Sequence, residues 1–102
     1  MVFALALPAE IQQTLGSRLR TQRLAQELSQ RDLAQMAGLS LGAVRKLERD
    51  GQSSLETLVR VVQALGLVED LEDLFVLKRR SIAQMEQAEA AGQRRRAPRR
   101  KV

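Results

Sequence analysis

Residues 28–48 read LSQRDLAQMAGLSLGAVRKLE, and how this stretch folds decides the rest. Ser29 stands just ahead of an apolar run, with Asp32 three residues later. That pairing is a helix start: the hydroxyl accepts one orphan N–H, and the carboxylate reaches back to another. Leu33, Ala34 and Met36 are predicted to form the buried face of this helix. Gly38 ends it, because only glycine takes a left-handed turn cheaply. Ser40 then caps a second helix, whose inward residues are Val44 and Leu47. Ala34 is small where the two helices cross, and Leu39 helps lock them. The second helix is thereby held with one face outward.

Working outward, the same helical spacing continues on both sides. Pro8 suits a first helical turn, and Ile11, Leu15 and Leu19 follow at four-residue steps. This predicts a helix from about residue 9 to 26. Downstream, DG at 50–51 is a turn and SSLE at 53–56 reads as a capping box, with Ser53 as N-cap and Glu56 reaching back. Leu58, Val61, Val62 and Leu65 form the stripe of a fourth helix, ended by Gly66. Glu69 and Asp70 sit at the positive end of a fifth, which carries Leu71, Leu74 and Phe75. The expected fold is all-α: five short helices in residues 9–77. Residues 1–8 form an apolar arm, and 78–102 a basic tail.

Composition narrows the chemistry. The 102 residues contain no Cys, His or Trp. Disulfides, Cys/His metal sites and Ser/His/Asp triads are therefore excluded, and no catalytic constellation, metal site or cofactor is expected. MVFALAL is too short to span a bilayer and lacks the flanks of a signal peptide, so a cytoplasmic protein without a membrane partner is expected. The net charge of +5 is unevenly placed. Residues 78–102 carry nine basic and two acidic groups, whereas 1–77 carry eight and ten. Within the domain every basic residue lies between Arg18 and Arg60, and Glu69, Asp70, Glu72 and Asp73 cluster beyond. One basic face and one acidic end suit a module that meets a polyanion on one side.

The 29–48 motif has helix-turn-helix spacing. Together, LSQRDLAQMAGLS and LERDG…SLETLVRVVQALGL resemble the Xre/Cro-type helix-turn-helix family, relatives of phage repressors, from Leu15 to about Phe75. The resemblance implies a five-helix, phage-repressor-like domain that binds operator DNA as a homodimer. It implies a bacterial or phage-encoded regulator of transcription, nucleoid-associated when bound. Gln30 matches the family's phosphate-clamping glutamine, and Arg23 and Glu48 match a buried ion pair between the first and third helices. The family's base readers, at the first, second and sixth positions of the third helix, fall on Leu41, Gly42 and Lys46. Leu41 and Gly42 depart from the polar habit, so glutamine-type adenine readout is not expected. Arg45 and Lys46 can donate to guanine O6 and N7, and Leu41 can touch a thymine methyl. Arg31, Ser40, Arg49 and Ser53 complete the expected DNA-contacting set. In the competing reading Arg45, Lys46 and Arg49 touch only phosphates, and Leu41 packs inward.

Two dimer surfaces stay open. One is the fifth helix with Leu71, Leu74, Phe75 and Leu77. The other is the arm, where Phe3, Leu5 and Leu7 alternate as in a strand that pairs with its copy. In the tail, residues 81–91 could form a helix with Ile82 and Met85 on one side, and the end, with Arg94, Arg95, Arg96, Arg99 and Arg100, is expected to be disordered in isolation. It either adds DNA phosphate contacts, folds on an acidic protein partner, or only solubilises. A weaker resemblance, in overall layout, is to HipB-type antitoxins. That implies an autorepressor that also neutralises a kinase-like toxin encoded in its own toxin-antitoxin operon. A free-standing phage-type repressor, a restriction-modification controller and a protein-binding adaptor that no longer reads DNA are the alternatives.

Overall fold

The computed structural model describes residues 2–78 together with 86, 87, 89 and 90. The five tail arginines, Ile82 and Met85 lie outside the described residues. Residues 2–78 form five α-helices and one 3-10 turn with no strand, and residues 86, 87, 89 and 90 are helical as well. The helices are α1 (Pro8–Ala25), α2 (Gln30–Ala37), α3 (Leu41–Asp50), α4 (Leu55–Ala64) and α5 (Glu69–Glu72).

Local chemistry sets the boundaries. Pro8 occupies the first turn of α1, where the Glu10 carboxylate accepts the Leu7 N–H at 2.8 Å. Ser29 Oγ accepts the Asp32 N–H at 2.9 Å, and the Asp32 carboxylate accepts the Ser29 N–H at 3.1 Å. That bond holds the Asp32 carboxyl below its ordinary pKa, because it favours the charged form. Gly38 takes φ 68° at the end of α2, where the Leu39 N–H returns to the Ala34 carbonyl at 2.8 Å. Arg60 from α4 donates to the last carbonyl of α2, that of Ala37.

Leu33, Val44 and Val61 are completely buried at the centre, one from each of α2, α3 and α4. Leu19, Ala34, Leu47, Val62 and Leu65 close around them. The α1–α3 seam is tighter than side-chain packing allows. A Cβ on Gly16 would collide with the Leu47 carbonyl oxygen, and one on Gly51 with the backbone of Gln12. Two glycines, one on α1 and one just past α3, therefore let backbone meet backbone.

Four expectations need correction. Met36 is 55% exposed, and Ala37 takes its place in the core. At 100° per residue, Met36 points roughly 100° away from the centre of the stripe formed by Leu33, Ala34 and Ala37. The cap of α4 is Ser54, not Ser53: its Oγ accepts the Thr57 N–H at 3.0 Å. Glu56 is then one position too early to reach back, and it pairs with Arg60 at 3.1 Å instead. The fifth helix stops at Glu72, so Leu74 and Phe75 lie beyond it; Phe75 has φ 63° and is 93% exposed. The arm is not extended. Phe3–Leu5 coil into a 3-10 turn, with the Arg18 guanidinium 5.1 Å from the Phe3 ring centroid. That cation–aromatic contact draws the turn back onto α1.

Candidate nucleic-acid interface

Helix α3 presents the face on which base contacts would depend. Val44, Leu47 and Glu48 are buried, and stepping 100° per residue from them puts Gly42, Lys46 and Arg49 directly outward. Arg45 projects to one side and is exposed. Leu41 lies nearer the buried side and is half-buried, so only part of its side chain is open to a groove. Neither Arg45 nor Lys46 has a hydrogen-bond or ion-pair partner among the described residues, so both cations are uncommitted. Arg49 is committed: its guanidinium donates to both Asp50 oxygens, at 3.1 and 2.9 Å. These bonds raise the Arg49 pKa and lower that of Asp50, with the Lys46 charge adding to the latter. The Arg49 side chain is 74% exposed and the pair is screened by solvent, so Asp50 is easily exchanged for another anion.

Gly42 has open space around it. A Cβ there would meet nothing closer than Ser40 Oγ at 4.0 Å, so no protein atom demands glycine. Ser40 itself caps α3, accepting the Ala43 N–H at 3.1 Å. Ser53 is exposed at the start of α4, donating to the Ser54 carbonyl, and Arg31 is exposed in the first turn of α2.

Beneath this face lies an ion-pair network. Arg23 Nε donates to Glu48 Oε2 at 2.8 Å and Arg23 Nη2 to Glu48 Oε1 at 3.0 Å. The third arm of the guanidinium, Nη1, donates to the Leu28 carbonyl at 2.7 Å. Both side chains are nearly inaccessible, at 6% and 2% exposure. The hydrogen bond to Glu48 raises the Arg23 pKa against the opposing effect of burial. Gln30 joins the network by donating its amide to Glu48 Oε1 at 3.2 Å. The side chain at the start of α2 is thus tied to the carboxylate that anchors α3.

Gln30 and Glu48 also floor an open polar cleft of about 480 Å³ between α1 and α3. Its walls are Gln13, Ser17 and Arg20 from α1, and Arg45 and Arg49 from α3. Three guanidinium groups against one internally neutralised carboxylate give the cleft an anion-attracting character. The sequence reading missed the α1 wall. Gln13, Ser17 and Arg20 recur at i, i+4 and i+7, a polar stripe whose partner could not be known before α1 was placed against α3.

Among the described residues, no group of acidic, Cys or His side chains is placed to hold a metal ion. No helix there is long and apolar enough to cross a membrane. A helix-turn-helix family model matches residues 19–70, just over half of the chain. The chain therefore belongs to the Xre/Cro-type helix-turn-helix family, whose members are DNA-binding regulators of transcription. No curated protein shows significant similarity to it.

Proposed function

We propose that the chain is a sequence-specific double-stranded DNA reader that acts as a homodimeric repressor of its own operon. The observation that carries the reading is the outward face of α3, where the uncommitted cations Arg45 and Lys46 flank a glycine with open space above it. A major groove about 12 Å wide admits a helix, and a missing side chain at Gly42 brings the helix backbone nearer the groove floor. From there Lys46 and Arg45 reach guanine O6 and N7, while half-buried Leu41 offers an edge to a thymine methyl. Gln30, Arg31, Arg20 and Arg49 take phosphates on the flank. Ser40 and Ser53 act at the helix starts, where N–H groups suit phosphate oxygens. One such module reads few base pairs, so a dimer on half-sites about 34 Å apart supplies the specificity. A kinase-like toxin as protein companion follows from the resemblance to HipB-type antitoxins. Co-purification from native extract tests it, and an isolated homodimer would count against it.

Selection from a random double-stranded DNA pool, at physiological salt and with the full chain, tests the main reading. The expected product is a palindrome with guanine in each half-site, with centres one turn apart. Lys46→Gln should relax preference at one half-site position, at a cost of about 1–3 kcal/mol for the correct base. Arg31→Ala should weaken all sequences alike and reduce the salt slope by about 0.9. The bland first turn, Leu41–Gly42, favours one second reading, that of a protein-binding adaptor. Salt-sensitive binding with no enriched sequence would bring that reading forward and remove the first.

A further inference from the structure

The cations of α3 do not stand alike. Arg45 and Lys46 form no ion pair among the described residues, and neither does Arg20 on the facing wall of the cleft. Arg49 does. Its Nε donates to one Asp50 oxygen and its Nη2 to the other, a fork meeting a fork. A phosphodiester offers a guanidinium the same two-oxygen edge, so Asp50 and a DNA phosphate compete for one partner through one geometry. Asp50 is also poorly placed for the helix itself. It is the last residue of α3, where the negative end of the helix dipole disfavours an acid. It has no part in the core, and the helix is closed by the next residue, Gly51, whose N–H donates to the Leu47 carbonyl at 2.9 Å. Helix stability therefore does not account for a carboxylate at this position.

We propose that Asp50 is an internal stand-in for a DNA phosphate: it keeps Arg49 neutralised until α3 is seated in the groove, and so sharpens the preference of the chain for its own site. The proposal rests on the DNA-reading function above and adds a residue that sets its selectivity. Away from its site a protein of this kind is held by phosphates alone, in shifting registers and often through water. A carboxylate already in contact outcompetes phosphates that come and go, so Arg49 adds little to such complexes. Once base contacts fix the register, one phosphate faces Arg49 at a set position. The pair is exposed and weak, so the carboxylate then gives way. The displaced Asp50 is not left without a cation: Lys46, one turn earlier on α3, is the other positive charge acting on it. Arg45 and Lys46 are needed at the bases, and neither is blocked in this way.

Fluorescence anisotropy with the full chain tests this, on two duplexes and over a range of salt. One duplex carries the selected site, and the other a scrambled sequence of the same composition. Asp50→Asn keeps the shape and removes the charge, and its helical circular dichroism should be unchanged. On the scrambled duplex it should raise affinity about threefold or more at physiological salt. It should also steepen the dependence of log affinity on log salt by about 0.9, the signature of one more phosphate neutralised. On the selected site the slope should stay and the gain should be smaller, so the ratio of the two affinities falls. Asp73→Asn makes the same charge change at the end of α5 and should leave both slopes as they are. With Arg49→Gln already in place, Asp50→Asn should do no more than Asp73→Asn does. A scrambled-duplex slope unmoved by Asp50→Asn overturns the proposal. So does an effect that survives Arg49→Gln, or an equal gain on both duplexes. The scrambled duplex reads Asp50 whether or not any sequence enriches, so the two ideas fail separately. A selected site with an unmoved slope removes the role of Asp50 and leaves the reader. A steeper slope with no selected site removes the reader and leaves the hold of Asp50 on Arg49.

Discussion

Glu48→Ala should cost this domain a large part of its stability. The carboxylate is 2% exposed and accepts three hydrogen bonds, two from Arg23 and one from Gln30. Removing it leaves the Arg23 guanidinium, itself 6% exposed, with the Leu28 carbonyl as its remaining acceptor. An uncompensated charge of this kind typically costs about 3–5 kcal/mol. In a domain of this size each kilocalorie lowers the melting temperature by roughly 4–8 °C, so the shift should be at least about 12 °C. Small domains hold only about 5–15 kcal/mol in all, so the variant stands near the edge of folding. Urea titration and thermal melts followed by circular dichroism at neutral pH give the number. The cost is one of orphaning a charge, so removing both charges should restore most of it. Arg23→Met with Glu48→Leu should recover to within about 1 kcal/mol of wild type, because apolar replacement of a buried pair is often neutral. A Glu48→Ala loss under about 1 kcal/mol would refute the reasoning, since that is the cost of breaking an exposed pair. So would a double variant no better than the single.

Gly16→Ala should destabilise by about 1–3 kcal/mol, the usual penalty of overpacking, because its Cβ meets the backbone carbonyl of Leu47 and not a movable side chain; an unchanged urea midpoint would show that α1 and α3 can separate freely. Gly42→Ala should stabilise by up to about 1 kcal/mol, since the space is open and alanine is the better helix former. If Gly42 serves close approach to DNA, the same variant should bind its selected site at least tenfold more weakly, and undiminished affinity would remove that role. Asp32→Asn should flatten the acid limb of the stability curve. The pKa of Asp32 is depressed in the folded chain by the Ser29 N–H, so its contribution is complete above the unfolded aspartate value. That contribution is lost as pH falls below about 4. Urea midpoints measured from pH 6 down to 2.5 check it, and identical slopes for wild type and variant would contradict the capping bond.

The legible part of the fold was the part written locally. Ser29 with Asp32, Gly38, Ser40 and Gly66 each act within one helical turn, so residue type and spacing suffice to place the ends of α2 and α3 and the turn after α4. The cap of α4 shows where that sufficiency ends. Ser53 and Ser54 are chemically identical, and only the fold shows that Ser54 Oγ accepts the Thr57 N–H while Ser53 Oγ donates to the Ser54 carbonyl. Met36 and Ala37 differ in the opposite way. Hydrophobicity favours methionine inside, but Met36 points roughly 100° away from the stripe of Leu33 and Ala34, whereas Ala37 falls on it. The apolar spacing puts Phe75 on the fifth helix, and nothing local reveals that the helix stops three residues earlier. At the candidate site, the outward face of α3 follows from its own periodicity. The α1 wall of the cleft does not, because Gln13, Ser17 and Arg20 become neighbours of Arg45 and Arg49 only through the Gly16 contact.

The glycine seam has a consequence for how such a protein can diversify. The setting of α3 depends on backbone atoms at Gly16 and Gly51, on three core side chains and on the Glu48 carboxylate. None of these faces outward. Gly42, Arg45, Lys46 and Arg49 contribute almost nothing to the core, and exposed positions of this kind usually tolerate exchange within about 0.5 kcal/mol. Residues that hold the helix and residues that face outward from it are therefore different sets. Descendants of this chain can replace every outward side chain, one at a time, with little risk to folding, so the outward face is free to change while the scaffold stays under selection.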